Sequence, residues 1–199
     1  MASYKEISKN FSWGADFAGG DSLSKISTST ASSDSVVNIT SGIDSTYNAY
    51  IIYYNSVHPS AGSKLTCQFT TNGSDFDLAL CTAQCNGSNT EGGTASNNNA
   101  DASEDQNSGT AYQSIGYADT IETNAESCCN GFLWLYGPGN TTFHKHFYSR
   151  TTAKDDAPGG AHTFTAGQIK TASAVTGISF KMSSGNIDSG TFTLYGIGK

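Results

Sequence analysis

Apolar side chains recur at every second position in most segments that carry them, and Ser, Thr, Asn and Gly fill the intervals. A two-residue period marks strands with one buried face. In the closing stretch, VTGISFKMSSGNIDSGTFTLYGIGK, Ile178, Phe180 and Met182 share one face of a first strand, and Phe192 and Leu194 share one face of a second. The two read as a strand pair joined by a polar turn, with the last strand inside a sheet and tied down by its neighbours' ladder hydrogen bonds.

The segment YNAYIIYYNSVHP, residues 47–59, is dense in β-branched and aromatic residues and predicts a central strand ending at Pro59, which cannot donate to a ladder. In SKLTCQFTTNGSDFDLAL, Leu65, Cys67 and Phe69 alternate before Asn72-Gly73, a hairpin-turn signal that predicts a returning strand with Phe76, Leu78 and Leu80 on one face. GFLWLYGPGNTTFHKHFYSRTT predicts a second hairpin, turning at Gly137-Pro138-Gly139-Asn140. Its first arm reads as buried on both faces. Its second sets Phe143, Lys145 and Phe147 against His144, His146 and Tyr148. HTFTAGQI adds a further strand, and weaker alternation around 22–30 and 35–40 predicts edge strands.

Residues 86–111 have almost no apolar side chain to offset the entropy of ordering and predict a long exposed loop, with order resuming near AYQSIGYADTIE. No stretch has a helical period, and there is no internal repeat. The expected fold is all-β, an antiparallel two-sheet β-sandwich of jelly-roll type with one long exposed loop. Residues 1–34 form an N-terminal arm and edge strands, and 35–199 form the sandwich domain, with 86–127 as a polar loop insertion.

A net charge of -7 argues against nucleic-acid partners, which require a basic face. No stretch approaches the ~18–20 apolar residues of a transmembrane helix, so no membrane partner is expected. MASYKEISKNFSW lacks a secretory pattern and predicts a chain made in the cytoplasm, which weighs against glycosylation of the N-x-S/T triplets at Asn10, Asn38, Asn72, Asn86 and Asn140. Five cysteines cannot all pair within one chain. Reduced thiols are the first reading, and a disulfide between the 81/85 and 128/129 pairs the second.

Candidate chemistry is sparse. His144-x-His146 would place two imidazoles on one side of a strand, too few for a metal site, and at an interface would make association sensitive to mild acid. Asp101, Glu104 and Asp105 could suit calcium but lack an EF-hand pattern and read as a solvated acidic loop. His58 has no signature around it, no G-x-S-x-G elbow or Walker loop occurs, and the acids nominate no pair for glycosidic cleavage. Tyr50, Tyr53, Tyr54, Trp134 and Tyr136 could stack on sugars, but core or inter-subunit packing explains them more simply. No catalytic residue, cofactor or metal is assigned, and an enzyme is not expected.

Four blocks, SGIDSTYNAYIIYYNSVHPSAG, TTNGSDFD, LWLYGPGNTTFHKHFYSR and FKMSSGNIDSGTFTLYGIGK, resemble in the same order a family of small virion structural proteins of marine tailed bacteriophages, of cyanophage and pelagiphage type. The resemblance spans roughly residues 40–199 and implies a role on the particle surface, with no catalytic residue carried over. The expected role is a capsid decoration, or cement, protein that binds the major capsid protein on the outer surface of the assembled shell. The expected assembly is a trimer at local three-fold positions. The alternative is a tail-fibre or receptor-binding component whose 86–127 loop touches a host glycan. Tyr4, Phe11, Trp13 and Phe17, outside any strong strand pattern, are the candidate interface residues, with His144 and His146.

Truncation from Thr191 onward is expected to prevent soluble folding. Losing Phe192 and Leu194 from a core costs about 2–5 kcal/mol each, against a total stability of about 5–15 kcal/mol. A soluble truncation that melts cooperatively would refute this.

Overall fold

The computed structural model describes residues 23–116, 120–154 and 159–198, and every regular element among them is a strand. In chain order these are β1 (Ser24–Asp34), β2 (Val37–Ile39), β3 (Ala49–Pro59), β4 (Leu65–Thr70), β5 (Leu80–Thr90), β6 (Ala95–Ala100), β7 (Asn107–Gly109), β8 (Gln113–Ser114), β9 (Cys129–Tyr136), β10 (Lys145–Lys154), β11 (Gly159–Ile169), β12 (Gly177–Met182) and β13 (Ile187–Ile197). The large sheet runs β1-β13-β3-β9-β10-β11-β5-β6, with β7 also on β5; the small sheet runs β2-β12-β4-β8. Every pairing is antiparallel. The chain is thus a two-sheet β-sandwich, with its strands divided nine and four where a jelly roll is built from about eight.

The apolar core lies between the sheets. Phe180 on β12 meets Phe192 on β13 at 4.9 Å between ring centroids and Tyr54 on β3 at 6.2 Å, and Phe69 on β4 meets Phe147 on β10 at 4.9 Å. Tyr54 is fully buried, and its hydroxyl donates to Thr151 Oγ1 at 2.6 Å, which in turn donates to the Ile115 carbonyl. Gly131, opposite Tyr54 in the ladder, makes room for it: a side chain there would run into the Arg150 carbonyl and the Tyr54 ring.

As expected, β3 is central, β13 lies inside the large sheet, and β1 and β2 are edges. Ile178, Phe180, Met182, Phe192 and Leu194 are all buried. The closing strands are not ladder partners, however: β12 belongs to the small sheet and β13 to the large one, so each faces the other across the core. The same correction applies after β4. Asn72-Gly73 does form a tight turn, with Asn72 Oδ1 accepting from the Ser74 and Asp75 amides and Gly73 at φ 81°. The chain then crosses to the large sheet, and the return strand begins only at Leu80. Residues 76–79 instead cover the outer side of β4, where Gln68, fully buried, holds the carbonyls of Leu78, Thr110 and Ala111 within 3.2 Å of its Nε2.

The hairpin at 137–140 is present, joining β9 to β10. Its first arm buries Leu133 and Leu135 toward the core while Phe132 and Trp134, on the other face, are only half-buried. In the second arm Lys145 and Phe147 point inward, whereas Phe143 precedes the strand and is 70% exposed. The buried Lys145 Nζ donates to the carbonyls of Phe143 (2.8 Å), Ala172 (3.0 Å) and Thr171 (3.3 Å), and desolvation lowers its pKa.

The largest correction concerns 86–127. This segment is not one exposed loop: β5 extends to Thr90 and turns into β6, β7 returns to β5, and β8 completes the small sheet. Hydrogen bonds, rather than apolar burial, order it. Inward-facing Thr82, Gln84 and Asn86 on β5 bond Gln113 Oε1, the Thr165 hydroxyl and the Thr163 hydroxyl at 2.7, 3.0 and 2.9 Å. The 101–105 turn closes over them, with Asp101 accepting from Asn86 Nδ2 and Asp105 from the Gln84 amide. A buried polar network in which each member has a partner can substitute for apolar packing. Within the 1–34 segment, β1 is an edge strand of the large sheet, laddered to β13.

Burial raises the Tyr54 phenol well above its ordinary value of 10. The stability this group contributes is fully present below that value and is lost as pH climbs from there through the folded value. The buried thiols of Cys67 and Cys129, also raised by desolvation, act in the same direction from their ordinary value of 9. Urea midpoints at pH 8 and pH 11 are therefore expected to fall steeply for the native chain and less steeply for Tyr54→Phe. Equal slopes would contradict the burial argument.

Candidate docking face

The solvent side of the large sheet carries a row of aromatic rings. The two-residue period fixes it: in β9, Leu133 and Leu135 turn to the core, so Phe132, Trp134 and Tyr136 all turn outward. Tyr195 on β13, Tyr53 on β3, Phe132 on β9, Tyr148 on β10 and Phe164 on β11 make successive ring contacts at 5.7, 6.1, 5.8 and 5.4 Å. Three of these contacts are edge-on, which is how aromatic rings pack favourably against one another. Trp134 and Tyr136 stack beside the row at 5.9 Å, and Tyr136 and Phe164 remain 43% and 44% exposed. Burial, together with the neighbouring Tyr148, raises the Tyr136 pKa.

Basic groups share this face although the chain is acidic overall. His146, Arg150 and Lys154 alternate outward along β10. Arg150 lies in register between Phe132 and Phe164, and His146 is opposite Tyr136. Lys154 is held by Glu126 at 3.3 Å. The arrangement sets apolar area beside the exposed Arg150 guanidinium, while the Lys154 charge is matched by Glu126.

Of the two histidines nominated as interface residues, His146 falls on this face. His144 sits in the turn before β10, exposed, so the two imidazoles do not share a strand side. Among the described residues no group of three or more His, Cys, Asp and Glu side chains could hold a metal ion. Tyr4, Phe11, Trp13 and Phe17 lie outside the described residues. Asp101 and Asp105 are structural acceptors rather than a free acidic loop, and Glu104 pairs with Lys64 at 2.5 Å. The His58 Nδ1 lies 2.5 Å from the Ser127 carbonyl, which makes it a strap between β3 and the start of β9. All five cysteines are free. Tyr50 and Tyr54 belong to the core, whereas Tyr53, Trp134 and Tyr136 belong to the outer face. Sequence reasoning missed Phe132, Tyr148, Phe164 and Tyr195 as surface groups. The signal was the alternation Phe132-Leu133-Trp134-Leu135-Tyr136, with aromatics on one face and leucines on the other.

Tyr148 holds ring contacts on both sides of the row, so Tyr148→Ala is expected to cost about 1–2 kcal/mol in chemical denaturation. Phe143→Ala should stay within about 0.5 kcal/mol of the native chain. Equal costs would show that the row adds nothing within the monomer.

No protein-family model and no curated protein matches this chain. Among solved structures, a chain from "Structure of infectious bursal disease virus Gx strain" is similar at 12% identity and a TM-score of 0.18, over 90% of this chain and 43% of that one. This chain thus spans less than half the length of that one, and a likeness so slight carries no argument about fold or role.

Proposed function

We propose that the protein is a virion structural component of a tailed bacteriophage, a decoration protein that docks on the major capsid protein from outside and assembles as a trimer. The observation that carries this reading is the aromatic row of the large sheet, with the basic stripe of β10 beside it. A sheet interior has no need of half-buried rings on its solvent side, and such a face gains free energy when a partner covers it. The four sequence blocks that resemble marine phage virion proteins support the same class. Three of them supply part of the face: Tyr53 lies in the first, Trp134, Tyr136, His146 and Tyr148 in the third, and Tyr195 in the last.

A decoration protein works by mass action. It binds the assembled shell and not its dissociated subunits, so the shell becomes harder to take apart by the free energy of that binding. The face supplies the contact, and the packed apolar core behind it holds its strands in place, so little ordering cost is incurred on docking.

Quantitative mass spectrometry of purified particles against the major capsid protein is the test. A copy number on the order of hundreds is expected, as a shell-wide lattice requires. A number as low as that of tail components, or absence from the particle, would overturn the decoration role. A strictly monomeric mass both in solution and on the particle would remove the trimer.

A further inference from the structure

The connection from β9 to β10 carries Phe143, at 70% the most exposed large apolar side chain among the described residues. Single exposed apolar groups are common on protein surfaces, so exposure alone means little. What sets Phe143 apart is how it is held. Its amide donates to Asn140 Oδ1 at 2.8 Å, and its carbonyl accepts at 2.8 Å from the ammonium of Lys145, a residue only 1% exposed. The backbone is thus fixed on both sides of the ring, which stands in solvent on a rigid base. An apolar anchor placed in advance loses little freedom when a partner covers it.

The same connection forms one wall of a cleft of about 270 Å³, lined among the described residues by Ser45, Tyr47, Asn48, Gly137, Gly139 and Asn140. None of these side chains is charged. The two walls are pinned together: the Gly137 amide donates to the Asn48 carbonyl at 2.8 Å, and Gly139 lies so close on Ser45 that a Cβ would come within 2.6 Å of the Ser45 Cα. Tyr47 is set by the core, edge-on to Tyr50 at 5.7 Å. The cleft is therefore pre-formed, with an aromatic ring in its lining. A cavity of about 150 Å³ holds a benzene molecule, so this one has room for a phenyl group. Phe143 does not occupy the cleft of its own chain, since it is not in the lining and its ring is in solvent.

We propose that Phe143 enters this cleft on a neighbouring copy of the chain, against Tyr47, and anchors the contact between copies. The closure of that contact rests on the trimer reading: knob and cleft are different surfaces, so the contact runs head to tail and closes as a ring of three. Charge favours such a junction. Two chains of net charge -7 repel one another, and a junction of uncharged groups adds no like-charge pair to that repulsion. Asp44, next to Ser45 in sequence, directs its carboxylate to the Thr46 amide at 2.7 Å and the Tyr50 hydroxyl at 2.9 Å.

Sedimentation equilibrium on the full chain, from about 20 µM to about 1 mM, tests it. Concentration-dependent association is expected of the native chain. Phe143→Ala removes the knob and Ser45→Tyr fills the cleft, and each should weaken association at least about tenfold while circular dichroism stays native. An equimolar mixture of the two should form one-to-one pairs, because one variant keeps the cleft and the other the knob. Should Ser45→Tyr fail to fold, Asn48→Tyr blocks the cleft in its place. A native chain that stays monomeric throughout would overturn the proposal, and so would association undiminished in either variant. Loss of particle copy number with self-association unchanged would assign the knob to the shell and overturn it equally. A dimer abolished by both variants would keep the contact and remove the ring of three. The copy number of the native chain is a separate measurement, so the decoration role can stand where this contact fails.

Discussion

The inner face of the large sheet is wider than the small sheet that packs on it, and the rest of the molecule is arranged around that mismatch. Over β13, β3, β9 and β10 the cover is apolar: Phe180, Phe69 and Cys67 come down from the small sheet onto Phe192, Tyr54 and Phe147. Over the outer part of β11 and β5, β8 and the 101–105 turn supply polar cover through Gln113, Asp101 and Asp105. Such a short cover brings few apolar side chains, so the sheet beneath it turns Thr, Gln and Asn inward, and these bond the cover directly. The sandwich therefore has an oily half and a hydrogen-bonded half. The second is unforgiving, because each buried amide left without a partner costs more than a bond formed regains.

The sequence period exposed what depends on one strand alone. Alternation identified β3, β4, β10, β11, β12 and β13 and named most of their buried side chains, since burial on one face writes itself directly into the residues. It could not say which sheet each strand joins. Ser183–Asn186 and Asn72–Gly73 look like hairpin turns, yet both lead from one sheet to the other, because a strand's period is the same whether its neighbour lies beside it or across the core. The 86–127 segment was illegible for a different reason. Its order rests on Gln113, Asp101 and Asp105 meeting Gln84, Asn86 and Thr82, a matching of donors to acceptors that no hydrophobicity count registers.

The aromatic face was hidden by its own content. Aromatic residues in a strand suggest core, and Phe132, Trp134 and Tyr136 alternating with leucines suggest a strand buried twice over. In the fold they are sorted cleanly, leucines in and rings out, so the rings shield one another edge to edge while keeping a flank in solvent. Lys145 illustrates the converse. A lysine between two aromatics reads as surface, yet its stem enters the core and its ammonium gathers the carbonyl ends of two loops, a job that needs several donors at one point.

The place of β13 between β1 and β3 carries a consequence for how the chain reaches this state. Ser24 is laddered to Gly196 and Asp34 to Ile187, so the first described strand must wait for β13 to be made before it has its ladder partner. Contacts between residues so distant in sequence close slowly, because loop entropy is lost before any pairing compensates it. During synthesis on the ribosome β3 would meanwhile offer an open edge and its aromatic flank to other chains. A cell making many copies at once would feel this as a race between the arrival of the last eleven-residue strand and intermolecular pairing, a race set by translation speed and chaperone supply rather than by the stability of the finished protein.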